Sequence, residues 1–185
     1  MRSRDEIKGF LWSVRNEKCS MVELAKKFAE FAHDGQVDKA GKAYMGHINR
    51  VAGLADKRYG NVYLTATAYL HDTVEDGGFT ISDLTAYFPT VVCKLVNILT
   101  RKKSEERGPY IEAIANNYLA IKVKLADLTD NMNLERITTP TQKDYERQDR
   151  YNAEYRRLFD ALIEMERSIP ESDLDPLVYE RFYME

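Results

Sequence analysis

The chain has 185 residues, and its 27 Lys and Arg nearly balance 30 Asp and Glu for a net charge of −3. That length suits a single domain, 1–185, with room for a real core, and the charge excludes a general attraction to nucleic acid, so a polyanionic ligand needs local cations or a metal. No apolar run approaches the roughly 20 residues of a membrane span, Met1-Arg2-Ser3-Arg4-Asp5-Glu6 lacks the pattern of a secretory leader, and Cys19 and Cys93 stand apart without paired or zinc-type spacing, which together point to a cytoplasmic protein with reduced thiols.

Apolar residues recur with the helical period of about 3.6, and strand-like alternation is nearly absent. Ile7, Phe10, Leu11 and Val14 stripe a first helix. Val22, Leu24, Ala25, Phe28, Ala29 and Phe31 stripe a second that ends near Gly35. After the loop from Gln36 to Lys42, a third helix is expected from about Tyr44 to Tyr59, broken by Gly60-Asn61. A fourth is expected from about Val62 to Glu75, stopping at Gly77-Gly78. Thr80 with Asp83 reads as a capping box, and Pro89 opens a helix carrying Val92, Leu95, Val96 and Leu99. Arg101 to Gly108 reads as a charged, flexible connection, and Pro109 to about Asn133 as helix with a break near Asn116-Asn117. A turn at Thr138-Thr139-Pro140-Thr141 precedes a long charged helix from Gln142 to about Arg167, with Tyr151, Tyr155, Leu158, Phe159 and Leu162 facing inward. The expected fold is a compact all-α helical bundle with its core at about 21–160 and a C-terminal helix and tail over 142–185. In that tail, Tyr179 and Tyr183 fit either a dimer edge or a packed segment. The oligomeric state therefore stays open, a homodimer included.

Two of the three histidines fall in a set that carries chemistry. His71 and Asp72 sit in Leu70-His71-Asp72-Thr73-Val74-Glu75-Asp76, His47 lies upstream and Asp127 downstream. Two imidazoles and two carboxylates over three segments suit one catalytic divalent metal, a hard to borderline ion such as Mn²⁺. On a continuous helix Glu75 would share a face with His71, and Asp76 with Asp72. That would place Glu75 and Asp76 one turn beyond the ligands, where a carboxylate can orient the attacking water or take its proton. Asn131, four after Asp127, shares that residue's face. Without a cation, so many carboxylates would repel or hold a proton.

Gly35-Gln36-Val37, Tyr44, His47, the block from Leu70 to Asp76, Lys124-Leu125-Ala126-Asp127 and Asn131-Met132 together resemble the HD-domain phosphohydrolases of the RelA/SpoT type. The short chain, without a synthetase region, is similar to the small alarmone hydrolases of that family. The resemblance implies the HD-domain bundle fold and an Mn²⁺-dependent enzyme that removes pyrophosphate from the 3′ position of (p)ppGpp-like nucleotides. It implies His47, His71, Asp72 and Asp127 as metal ligands and Glu75 and Asp76 as the catalytic pair. Asn131 would contact the sugar or the metal's surroundings, Lys39 a substrate loop, and Lys124 either structure or phosphate. Arg147 lies near the start of the long helix, which in the family packs beside the substrate cleft.

Departures from the family pattern cluster in the loop before Tyr44. A basic residue that packs on guanine is replaced by Asp38, and Gly-Glu-Pro-Tyr by Gly41-Lys42-Ala43-Tyr44. Leu128 and Asn133 stand where arginines are frequent. Asp38 can accept from an exocyclic amine of either purine, so the expected base preference is altered, with (p)ppApp as well as (p)ppGpp open. Two alternatives keep the site: an HD-domain phosphatase acting on NADPH or another nucleotide, and a non-catalytic domain that only binds nucleotide. In all three the partner is a small nucleotide rather than nucleic acid or membrane.

Overall fold

The computed structural model describes residues 1–168, so the expectations for the tail, with Tyr179 and Tyr183, lie outside the described residues. The bundle is all-α: α1 Arg4–Val14, α2 Met21–His33, α3 Met45–Tyr59, α4 Val62–Leu70, α5 Ile81–Thr85, α6 Thr90–Leu99, α7 Arg107–Ala115, α8 Tyr118–Asn131 and α9 Gln142–Ser168, with a 3₁₀ turn at Leu134–Arg136. Among the described residues no strand forms, and a lone antiparallel bridge pairs Val37 with Ala43.

Helix starts follow local chemistry. Ser3, Ser20 and Thr80 each form a capping box, with Glu6, Glu23 and Asp83. Asn61 and Asn117 accept from the first free N–H groups of α4 and α8. Gly60 closes α3 in the left-handed region at φ 58°, where other residues are strained.

α4 is apolar on nearly every side, and it packs against α2, α3, α6 and α8. One apolar cluster joins α3, α4, α7, α8 and α9 around Leu64, Ile121, Leu125 and Leu158. A second gathers α1, α2, α5 and α6 around Phe28, whose ring lies 4.9 Å from Phe10, 5.3 Å from Phe79 and 5.0 Å from Phe88. α3, α4 and α8 thus meet at the centre of the bundle.

Three expectations need correction. α4 ends at Leu70 rather than near Glu75, and His71 to Gly77 form consecutive turns. The cause is side-chain competition for the last carbonyls: His71 Nδ1 donates to the Ala68 carbonyl at 2.7 Å, and Thr73 Oγ1 to that of Leu70 at 2.7 Å. The supposedly free connection after α6 is anchored, because the Arg101 N–H donates to Glu75 Oε2 at 2.9 Å and α7 already begins at Arg107. On α9, Phe159 is 44% exposed and stacks outside on Tyr155, while Glu154 occupies the inward seam with Leu158, Ala161 and Leu162. Glu154 is buried because Arg107 pairs with it, a partner that apolar periodicity does not register.

Gly77 closes the turn that carries the acidic residues. A Cβ there would lie 2.5 Å from the Thr73 carbonyl oxygen and 2.6 Å from Ala32 Cβ. Gly77→Ala is therefore expected to destabilise the fold by about 1–3 kcal/mol through overpacking. Thermal unfolding checks this, at about 2–4 °C per kcal/mol. An unchanged midpoint would mean that the turn has slack.

Candidate functional site

A cleft of about 350 Å³ opens between the Val37–Ala43 loop, the turn after α4, and α8. His47 enters from the first turns of α3, His71 and Asp72 from the end of α4, and Asp127 from α8. His47, His71 and Asp127 are buried, and one donor atom from each lies within 4.8 Å of the others.

Both imidazoles are locked by the nitrogen that faces away. His71 Nδ1 meets a carbonyl, which can only accept, so this nitrogen carries a proton and Nε2 is the nitrogen left to bind a metal. His47 Nδ1 lies 2.7 Å from Asp130 Oδ2, which imposes the same tautomer. The two Nε2 atoms then face carboxylates. His47 Nε2 is 3.4 Å from Asp127 Oδ1 and 3.9 Å from Asp72 Oδ2; His71 Nε2 is 3.8 Å and 3.1 Å from the same atoms.

These residues fit a metal. An octahedral ion with bonds of about 2.1 Å needs adjacent donors roughly 3 Å apart and opposite ones roughly 4 Å apart. His71 Nε2 is fully buried and has no hydrogen-bond partner among the described residues, the state of a ligand nitrogen. The surroundings also demand positive charge. Burial pushes the His47 pKa down, yet hydrogen bonds to Asp127 and Asp130 outweigh this and carry it up to about 9. A cation would take over the balancing role of that proton.

Neighbours fix the carboxylates. Tyr44, which opens α3, donates from its hydroxyl to Asp72 Oδ2 at 2.6 Å. Burial raises the Asp72 pKa, but His71 reverses this and holds it below the carboxylate range. Asp127 is held by Lys124 Nζ at 2.7 Å on Oδ2 and by the Asn131 amide on Oδ1. Burial opposes its charge too, and Lys124 and His47 outweigh burial to keep it well below the usual range.

Glu75 and Asp76 line the cleft beside Asp72. For both, burial raises the pKa, and the Asp72 carboxylate raises it further. They are thus the carboxylates of the site best placed to accept a proton, whereas Asp72 and Asp127 stay ionised.

The cleft is also cationic. Lys39, Arg107, Arg136 and Arg147 line it. Burial lowers the Lys39 pKa, and Arg147 lowers it further, so these cations crowd one another. Arg107 is steadied by Glu154 and Arg147 by Asp144 at 2.6 Å.

All the residues singled out from sequence line this cleft except His71, which sits behind it. Asp38 is the one whose expected role loses support. Its Oδ1 accepts from the N–H groups of Ala40 and Lys42, both at 2.9 Å, and its Oδ2 from Arg136 at 3.0 Å. Three of about four acceptor positions are already filled, so the carboxylate organises its own loop and leaves little to read a base amine. Among the other basic residues, Lys42, Lys143 and Arg150 do not line the cleft, and Arg50 pairs with Asp130. Sequence reasoning assigned no site role to Tyr44, Arg107 or Asp130. The helical spacing Asp127–Asp130 could have flagged Asp130; nothing local marks Arg107.

No protein-family profile matches the chain. It is 30% identical over 145 residues to the guanosine-3′,5′-bis(diphosphate) 3′-pyrophosphohydrolase MESH1 of Drosophila melanogaster, a match covering 74% of this chain and 81% of that protein. It is 32% identical over 126 residues to a GTP pyrophosphokinase of Myxococcus xanthus, covering 60% of this chain but only 17% of that longer protein. A solved metazoan ortholog of SpoT, described as hydrolyzing ppGpp and acting in starvation responses, superposes with a TM-score of 0.66 at 26% identity, over 92% of this chain and 99% of that one. With the all-α bundle and the buried His/Asp cluster, these likenesses show that the chain belongs to the RelA/SpoT-type HD-domain phosphohydrolases, within the small alarmone hydrolases.

Proposed function

We propose that this protein is an alarmone hydrolase that removes the 3′-pyrophosphate from (p)ppGpp or (p)ppApp, giving the nucleoside 5′-di- or triphosphate and pyrophosphate. The observation that carries the reading is the pair of buried imidazoles, each locked by its Nδ1, with both Nε2 atoms turned toward Asp72 and Asp127. His47, His71, Asp72 and Asp127 would hold Mn²⁺. That ion would make water more acidic and offset charge growing on the phosphoryl oxygens.

The chain's own groups do the rest. Glu75 and Asp76, with their raised affinity for protons, take the proton of the attacking water. The water oxygen bonds to the phosphorus attached to O3′, that P–O3′ bond breaks, and O3′ leaves as the ribose hydroxyl after gaining a proton. Lys39, Arg107 and Arg147 attract the nucleotide's phosphates and hold them in line. Lys124 and Asn131 keep Asp127 aimed at the cluster.

Product analysis tests the proposal. Purified protein with Mn²⁺ is offered ppGpp, ppApp and NADPH in parallel. Pyrophosphate from ppGpp or ppApp, lost on chelation, is expected, and the faster of the two settles the base. Orthophosphate from NADPH alone would move the protein to the phosphatase reading. Tight nucleotide binding without turnover would leave a binding domain.

Lys39→Ala should raise KM about tenfold or more while changing kcat little, because a charged contact to phosphate is lost. Steady-state kinetics check this. An equal loss in kcat would place Lys39 at the reacting phosphorus instead.

A further inference from the structure

Asp130 is buried, yet it is neither a cleft-lining residue nor one of the proposed metal ligands. Its carboxylate joins α3, α8 and the 3₁₀ turn behind the metal-binding face. Oδ2 receives His47 Nδ1 at 2.7 Å, and Oδ1 receives Arg50 Nε at 2.6 Å. Arg136, from the 3₁₀ turn, donates Nη2 to the Asp130 backbone carbonyl at 3.0 Å and lies 3.2 Å from Oδ2. The same guanidinium donates Nη1 to Asp38 Oδ2 at 3.0 Å, and Asp38 Oδ1 closes the loop that carries Lys39.

We propose that Asp130 is a positioning residue that ties the metal-binding face of His47 to the phosphate-binding loop through Arg136 and Asp38. The inference deepens the proposed function and rests on its metal site. A carboxylate behind a ligand imidazole fixes the tautomer and the ring, and makes the ligand nitrogen a better donor. Here that carboxylate also fastens Arg136. Loosening Arg136 therefore removes one of the two guanidinium groups, with Arg50, that hold the carboxylate behind His47, although Arg136 touches no ligand. Metal affinity and loop geometry become linked through one side chain.

The test is titration of Mn²⁺ alone into wild type, Asp130→Asn and Arg136→Gln, against a competing fluorescent chelator, with folding followed by far-UV circular dichroism. Asp130→Asn keeps the shape and removes the charge, and should weaken Mn²⁺ binding about 10–100-fold. Arg136→Gln, at a partly exposed side chain that leaves the fold less at risk, should weaken it by roughly threefold or more. Wild-type Mn²⁺ affinity in either folded variant overturns the proposal. If Asp130→Asn does not fold, the Arg136→Gln result decides alone. Failure of the wild type itself to bind Mn²⁺ would overturn the metal reading, and is thereby told apart from failure of the Asp130 link.

Discussion

Asp127→Ala is expected to abolish Mn²⁺ binding and pyrophosphate release, and also to destabilise the protein by about 3–5 kcal/mol. On sequence alone this substitution reads as a clean ligand deletion that leaves the fold intact. The structure adds Lys124, whose ammonium is 2.7 Å from Asp127 Oδ2, with both side chains largely buried and the Tyr110 ring 5.5 Å away. Removing Asp127 strands that charge, which is the costly way to break a buried pair. The double variant Asp127→Ala/Lys124→Met should regain most of the lost stability, because an apolar side chain of similar length replaces the stranded ammonium, yet still bind no Mn²⁺. Urea unfolding and Mn²⁺ titration of the three proteins separate the two effects. A double variant as unstable as the single one would show that Lys124 is not the source. The pH dependence has a definite sign. Asp127 is held below the unfolded carboxylate value, so its stabilising contribution is complete above that value and is lost as pH falls through the folded one.

Glu75→Gln is expected to lower turnover by about 10²–10⁴-fold. Mn²⁺ affinity should stay within about threefold of wild type, because Glu75 lies beyond the His47–His71–Asp127 cluster. Asp76→Asn should behave alike if the two carboxylates share the proton. Burial, then Asp72 beside it, raises the Asp76 pKa. Burial also raises that of Glu75, against the N–H bond from Arg101, and Asp72 adds to it. A base must be ionised to act, so kcat/KM should climb with pH through a value above the ordinary carboxylate range and level off beyond it. The climb belongs to the pair. It should shift when either member is neutralised, and pH–rate profiles of the two variants check this. A parallel loss of Mn²⁺ binding would make Glu75 a ligand. An acid limb unmoved in both variants would remove the pair from the proton transfer.

Much of the architecture is written in local chemistry. Capping residues, glycines at helix ends and the 3.6-residue stripes locate most helices, because each depends on neighbours within one or two turns. The break at Asn116-Asn117 is legible for the same reason, since Asn117 caps α8 with its own side chain. The end of α4 is not, because the competitors for its carbonyls are His71 and Thr73, residues that read equally well as a further helical turn. Phe159 and Glu154 show the limit of periodicity: what buries a carboxylate is an arginine 47 positions away.

The candidate site divides along the same line. By itself the sequence determined which residue types are present and in what order: His47, His71, Asp72, Asp127 and the acidic pair Glu75–Asp76. Those types suffice to point to a divalent metal and phosphoryl chemistry, because donor identity sets which ion is held. Only the tertiary structure decided what each group is free to do. It turned both Nε2 atoms inward by engaging Nδ1 with Ala68 and Asp130, and it filled most of the acceptor positions of Asp38 with its own loop and Arg136. It also brought Arg107 into the cleft and put Lys124 against Asp127. The physical reason is that a side chain's tautomer, charge and remaining hydrogen-bond capacity are set by partners close in space, and here those partners arrive from helices distant in the chain.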